Sequence, residues 1–565
     1  MRATTPAMRG FSVLTAACML VTMLGSSHAR LRVPSVQTHG HSGRAFGFEG
    51  PSYPMRISSS QPSANAASPC TSAAVTDTAL RNPPAMRTKQ PQLCDASVAQ
   101  TSGYIDLDDE THVFFWHFSS RQRQASGFNG TRDSVPLVFW FSGGPGCSSQ
   151  IANWQENGPC TYVPSEPFDA AMSDDARKKL PHEVRRNAWA WNSVADIVYV
   201  DQPVGTGFSH GAAPNSTEAA ADTAWRAMQA VYAHLAADAR ARGDHAIDRV
   251  ALFGESYAGR YIPVFAEYAW HMNGLVRASA DLRARGFVEL PLLGVGIGNG
   301  LYDYAAQAPT YHTIACQSSY PALFSPHQCA HLKNTVNPAC ARATQACYAD
   351  NPGPASSALA MRANDTCVGL SPEPWRTSAK CTAADVACNA ALGWTTMVST
   401  YDVRPGARLV PDDYVAYLRS AEFAQAVGVD DGVVYDECSD AVFDGFSASA
   451  DEVSRSAVAS LEFLLDAGVP VLLYSGDADF ICNWYGTLKV ARALQWGGRE
   501  RFRDAQPSTW AWPTKSGRRV DAGQLTQVDN LAFLRVYEAG HEVPYYQPQA
   551  SLYMLAQFLA KQRLW

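Results

Sequence analysis

The 565-residue chain is short of charge: 17% of its residues are Asp, Glu, Lys or Arg, with 45 basic against 52 acidic positions and a formal charge of -7. With no long basic run, it lacks the electrostatic footprint of a nucleic-acid binder. No H-E-x-x-H is present, and the cysteine-rich part contains no C-x-x-C pair, so a metal site is not expected. A glycine loop able to cradle phosphates is also missing, and no cofactor is expected. Beyond the N-terminus no stretch holds eighteen apolar residues in a row, which argues against a membrane span in the mature chain. What is plentiful is apolar: 46% hydrophobic residues exclude disorder as the general description. The length admits one large α/β domain carrying an insertion.

Met1 to Arg30 combines Arg2 and Arg9, an apolar stretch from Phe11 to Leu24 and the small residues Gly25, Ser26, Ser27 and Ala29. That is the layout of a secretory signal peptide, assigned to residues 1–29. Residues 30–95, rich in Ser, Pro, Ala, Arg and Gly, read as an unpacked leader or propeptide. In the oxidising secretory route the 14 cysteines read mostly as disulfides. The sequons at Asn129, Asn215 and Asn364 become glycosylation acceptors there. The expected destination is a lysosome- or vacuole-like compartment, or the exterior.

Tyr104–Leu107 and Val113–Phe118 read as paired strands. Further strands are expected at Val135–Phe141, Asp196–Val200, Val250–Phe253, Leu290–Ile297, Val469–Tyr474 and Leu531–Tyr537. Their near-continuous apolar character suits a sheet covered on both faces. Between them the helical period is clearest from Glu218 to about Arg242. The alternation predicts an α/β fold with a mostly parallel sheet. Residues 305–417 break it: Cys316, Cys329, Cys340, Cys347, Cys367, Cys381 and Cys388 lie among Pro, Asn and Ala with no long apolar run. They read as a disulfide-tied lid inserted into a core of residues 96–304 and 418–565.

Gly254-Glu255-Ser256-Tyr257-Ala258-Gly259 fits G-x-S-x-G between an expected strand and an expected helix, the context of a nucleophile elbow. A serine hydroxyl needs a base, and the base needs an orienting acid. Two later strands run into loops that could supply them: Ser475-Gly476-Asp477-Ala478-Asp479, and Glu538-Ala539-Gly540-His541. Both loops leave carboxyl ends of strands, where α/β folds assemble their sites. Asp479 is preferred to Asp477 because it lies further past the strand. Ser142-Gly143-Gly144-Pro145-Gly146 follows another strand, and backbone N–H groups of Gly144 and Tyr257 are the expected oxyanion donors.

These residues resemble the serine carboxypeptidases, which share the α/β-hydrolase fold. The similar stretches are Trp140 to Ser149, Glu156 to Pro159, Asp201 to Ser209, Gly254 to Pro263, Gly298 to Gly300, Gly476 to Asn483 and Gly540 to Pro544. The resemblance implies removal of single residues from peptide or protein C-termini through an acyl-serine, most actively in acid. It carries the catalytic triad onto Ser256, Asp479 and His541. The carboxylate-binding site falls on Trp140, Gly143, Glu156 and Glu255, with Ser142 where the family has Asn. A disulfide between Cys147 and Cys438 is implied, as is a free thiol at Cys482. Two neighbouring glutamates explain the acid preference: one stays protonated and donates to the substrate carboxylate. Acyl transfer to an alcohol or amine, or protection of a partner hydrolase, are the competing expectations, and a homodimer is compatible with the sequence.

Overall fold

The computed structural model describes residues 83–124, 134–166, 172–243, 247–350, 378–392, 399–407, 410–454, 456–514 and 516–561. The expected signal peptide, most of the leader, and the sequons at Asn129 and Asn364 lie outside them.

The thirteen strands among the described residues are β1 (Ala85–Lys89), β2 (Gln100–Asp106), β3 (His112–Phe118), β4 (Leu137–Phe141), β5 (Cys160–Pro164), β6 (His182–Arg186), β7 (Asp196–Val200), β8 (Val250–Glu255), β9 (Leu292–Gly298), β10 (Val471–Gly476), β11 (Ser508–Pro513), β12 (Arg519–Val528) and β13 (Leu531–Val536). Eleven form one sheet in the order β1-β2-β3-β7-β4-β8-β9-β10-β13-β12-β11, and β5 pairs with β6. The six strands from β7 to β13 pair in parallel. Both flanks are antiparallel. The sheet is therefore mixed, where the sequence predicts a mostly parallel one. The missed strands β11 and β12 are only partly buried and offer no continuous apolar run to read.

Central strands are buried on both faces and send alternate side chains to two cores, as the two-residue period requires. Leu137, Phe139, Val250 and Leu252 enter one core, while Val138, Trp140, Ala251 and Phe253 enter the other. Each buried Val, Leu or Phe among them contributes about 1.5–3 kcal/mol. The helix Thr217–Arg242 packs its Trp225, Met228 and Val231 into the first core. Ser216 caps its start by accepting from Ala219 N–H, and Gly243 ends it with φ 72°.

Order begins earlier than the leader boundary at residue 95 implies. β1 pairs along β2, and Cys94 is bonded to Cys160. Asp95 is buried against Arg121. β1 escapes a sequence reading because Ala-Met-Arg-Thr-Lys is an exposed edge strand with little apolar pattern.

Within the insertion, helices Asn337–Asp350 and Ala379–Leu392 are cross-linked twice, Cys340 to Cys388 and Cys347 to Cys381. Each helix spaces its cysteines by seven, two turns along one stripe, and pairing first with last makes the helices antiparallel. Cys316–Cys329 closes a smaller loop. Cys147 is bonded to Cys438, and Cys482 is a buried free thiol.

Candidate active site

Every loop named for chemistry leaves the carboxyl end of a parallel strand. β8 runs directly into Ser256, which stands at φ 62°, a left-handed conformation that L side chains rarely adopt. The turn is held from both sides: Ser256 N–H donates to Gly298 O at 3.0 Å, and Ser256 O accepts from Leu301 N–H at 2.9 Å. The helix Ala258–Ala278 starts immediately after it.

The loop after β4 lies against this turn. A Cβ on Gly143 would stand 2.5 Å from Tyr257 N, so only glycine permits the approach. Gly144 has φ 110°. Among the described residues, neither Gly144 N–H nor Tyr257 N–H donates to a protein acceptor, which is the condition for binding an oxyanion. Asp201, at the end of β7, anchors the other side of this loop. It accepts from Ser148 Oγ at 2.7 Å, Ser149 N–H at 3.1 Å and Phe208 N–H at 3.0 Å. Burial pushes its carboxyl up to about 6.

β10 leads to Asp479 and β13 to His541. His541 Nδ1 is 2.9 Å from Asp479 Oδ2, with both side chains buried. Burial works to lower the imidazole's pKa, but the Asp479 charge and its hydrogen bond outweigh it, and the net shift is upward. Asp479 also accepts from Ile481 N–H at 3.0 Å and Cys482 N–H at 3.2 Å. Asp477 faces elsewhere, toward Tyr320 and Arg535.

Glu156 ends a π-helical turn, Ala152–Glu156, and Glu255 is the last residue of β8. The two carboxyls face each other, 3% and 5% exposed. Neither Glu156 oxygen nor Glu255 Oε2 has a donor elsewhere in the described protein. Burial first, then neighbouring carboxyl charges, hold both well above the usual carboxylate range. A hydrogen bond between them requires that one keep its proton. Trp140 Nε1 donates to Ser142 Oγ at 3.1 Å, and Ser142 N–H donates to Ser149 Oγ at 3.1 Å. Ser142 thus retains a hydroxyl proton to offer.

Three participants carry no role in the sequence reading. Asn299, buried at φ 41° after β9, donates Nδ2–H to Asp479 Oδ2 at 2.7 Å and accepts Gly476 N–H at 3.0 Å. Glu542 adds a third carboxyl to the Glu156–Glu255 pair; burial raises its pKa, and its Oε2 has no donor among the described residues. Tyr401, from the assigned lid, accepts His541 N–H at its carbonyl, 2.8 Å, with its ring 4.9 Å from the imidazole. Asn299 and Glu542 both stand inside motifs, but nothing local says what they face. Among the described residues no cluster of His, Cys, Asp or Glu is arranged to hold a metal.

The family profile described as serine carboxypeptidase matches residues 90–561. Carboxypeptidase S1 of Penicillium janthinellum is 30% identical over 482 residues, 84% of this chain and 98% of that protein. Carboxypeptidase Y of Schizosaccharomyces pombe is 31% identical over 470 residues, 81% of this chain and 41% of that longer protein. A solved prohormone-processing carboxypeptidase from Saccharomyces cerevisiae superimposes with a TM-score of 0.61 at 21% identity, covering 84% of this chain and 94% of that one. That likeness is one of fold.

Proposed function

The chain belongs to the serine carboxypeptidase family, with its α/β-hydrolase fold, and we propose that it removes C-terminal residues from peptides through an acyl-serine formed on Ser256. His541 takes the Ser256 proton as the hydroxyl attacks the scissile carbonyl, and Asp479 holds the imidazole and stabilises its charged form. The oxyanion points at Gly144 N–H and Tyr257 N–H. His541 returns the proton to the departing amine, and water then enters by the same route in reverse.

The observation that carries the exopeptidase reading is the buried Glu156–Glu255 pair, whose second member directly precedes the nucleophile. A carboxyl that keeps its proton donates to a terminal carboxylate, and the distance from that anchor to Ser256 fixes which bond is cut. Ser142 contributes one O–H where an Asn would offer two N–H donors. That weaker anchor is the single feature favouring a second reading, transfer of the acyl group to an alcohol or amine.

Among the described residues no helix is long and apolar enough to cross a membrane. Five disulfides among the described residues and the exposed Asn215 of a sequon support passage through an oxidising secretory route, toward an acidic compartment or the exterior.

Release of free amino acid from N-blocked dipeptides, and from their C-terminal amides, at pH about 5 and 7, in wild type and Ser256→Ala, tests the reading. Serine-dependent, acid-favoured cleavage that prefers the free carboxylate is expected. Equal cleavage of acid and amide would remove the exopeptidase assignment, and release unaffected by Ser256→Ala would remove the acyl-serine.

A further inference from the structure

The loops that carry Asp479 and His541 are not held by the core alone. Residues Thr400 to Arg404, at the return end of the insertion, lie across both. Thr400 O accepts Phe480 N–H and Ile481 N–H at 3.2 and 3.1 Å, while Tyr401 O accepts His541 N–H at 2.8 Å. Val403 N–H donates to Ala478 O at 2.8 Å. The return segment is therefore a strap over the acid and base loops rather than part of a detachable lid.

The strap and a second contact from the insertion converge on Glu538, three residues before His541. Glu538 has φ 55° in a loop where no glycine occupies its position. A side chain with a Cβ is strained there, and such conformations persist only where surrounding contacts over-determine them. Two ties meet the requirement from different sides. Asp477 Oδ1 accepts Glu538 N–H at 3.0 Å and the Tyr320 hydroxyl, from the insertion, at 2.6 Å; its Oδ2 takes Arg535 Nη2 at 3.0 Å. Arg404 Nη1 donates to Glu538 O at 2.9 Å while its other nitrogens grip Asp402. Gln547 Nε2 adds a bond to the same carbonyl at 3.1 Å.

We propose that Asp477 and Arg404 are positioning residues: together they hold Glu538 in its left-handed conformation and so set the approach of His541 to Ser256. The inference rests on the reading of His541 as the base. It makes the insertion a part of the catalytic frame, since Tyr320 through Asp477, and Arg404 directly, both bear on Glu538 in the His541 loop.

The geometry at Asp477 supplies a graded series. Asp477→Asn keeps Oδ1 for Glu538 and Tyr320 and loses only the acceptor facing Arg535, whereas Asp477→Ala loses all three bonds. Arg404→Gln removes the second tie from a partly exposed position. Glycine at 538 adopts the left-handed conformation without strain. The experiment measures kcat and KM on an N-blocked dipeptide, and separately the rate at which a fluorophosphonate labels Ser256, for these variants alone and combined with Glu538→Gly. Labelling needs the Ser256–His541 alignment but no carboxylate recognition.

Asp477→Ala and Arg404→Gln are expected to lower kcat and the labelling rate roughly tenfold or more, with KM within about twofold. Asp477→Asn should stay closer to wild type, and Glu538→Gly should restore most of the loss in each tied-residue variant. Should Asp477→Ala fail to fold, Arg404→Gln with its glycine partner carries the same test. Folded variants with wild-type kcat, or losses that glycine at 538 does not recover, overturn the proposal. Normal labelling of wild type without dipeptide cleavage would instead count against the proposed function, leaving the positioning result readable.

Discussion

Asp479 meets His541 through a single oxygen, Oδ2, and that same oxygen receives the amide of Asn299, at 2.9 and 2.7 Å. Asp479 is thereby held by a residue on a different strand end, and Asn299 is in turn held by Gly476 N–H. Removing the amide leaves Asp479 held only by the Ile481 and Cys482 N–H groups and loosens its alignment with the imidazole. Asn299→Gly, which keeps the positive φ without strain, should lower kcat by roughly 10–100-fold, the equivalent of a hydrogen bond to a charged group at about 1.5–3 kcal/mol. KM should hardly move. Steady-state kinetics on one dipeptide check the split.

Substrate binding should weaken as pH rises. Burial and neighbouring carboxyls hold Glu156 and Glu255 above the usual carboxylate range, so in acid the pair keeps a proton to donate to the substrate. At higher pH the proton leaves and the pair repels the terminal carboxylate. KM for a peptide acid should therefore climb between pH about 5 and 7.5, while the acylation chemistry still runs. Glu156→Gln should flatten the climb, since an amide donates at any pH. A wild-type KM that stays level across this range would contradict the account.

Conformational stability should follow the same carboxyls. Glu156, Glu255 and Glu542 all have raised folded-state pKa values, each with burial as the largest cause. The unfolded chain loses these protons near pH ~4.3, so above that point the folded state binds more protons and stability falls as pH rises toward the raised values. Calorimetric scans of Glu156→Gln/Glu255→Gln should match wild type near pH 4.5. Near pH 7.5 the double variant should melt higher by roughly 2 °C or more.

Ser142 sits beside Trp140 Nε1 with one hydroxyl proton available. Ser142→Asn should lower KM for peptide acids several-fold, by about 1 kcal/mol for one added hydrogen bond. The C-terminal amides of the same peptides should be unaffected. Parallel titrations of acid and amide substrates distinguish the two.

The central strands were legible because each is a short apolar run ending in a turn residue: Val250 to Phe253 before Gly254, and Leu531 onward before Gly540, fall within one or two residues of the observed β8 and β13. The edges were not. β1 is exposed and β11 only partly buried, and the apolar pattern of each is weak. The placement of Ser256, Asp479 and His541 was legible for a related reason, each standing past a readable strand. Asn299 occupies an equivalent place after β9, and that position was the available signal for it. Glu542 was hidden, since an acid beside a histidine has no periodicity to betray what it faces.

By itself the sequence determined the local chemistry: which strands form, which residues stand at their ends, and that the turn at Ser256 must be tight. Those are properties of a few neighbouring residues, written in apolar runs and glycines. The tertiary structure alone decided what meets what. Placing β4 beside β8 brings Gly143 against Tyr257. Chain folding also brings Glu156 to Glu255, 99 positions on, and lays Thr400 to Arg404 over the loops of Asp479 and His541. Cysteine pairing across the insertion belongs with these, because the spacing of seven marks a helical face but does not name its partner. Such contacts depend on strand order and helix packing, set by the burial of the whole sheet, and no window of sequence contains them.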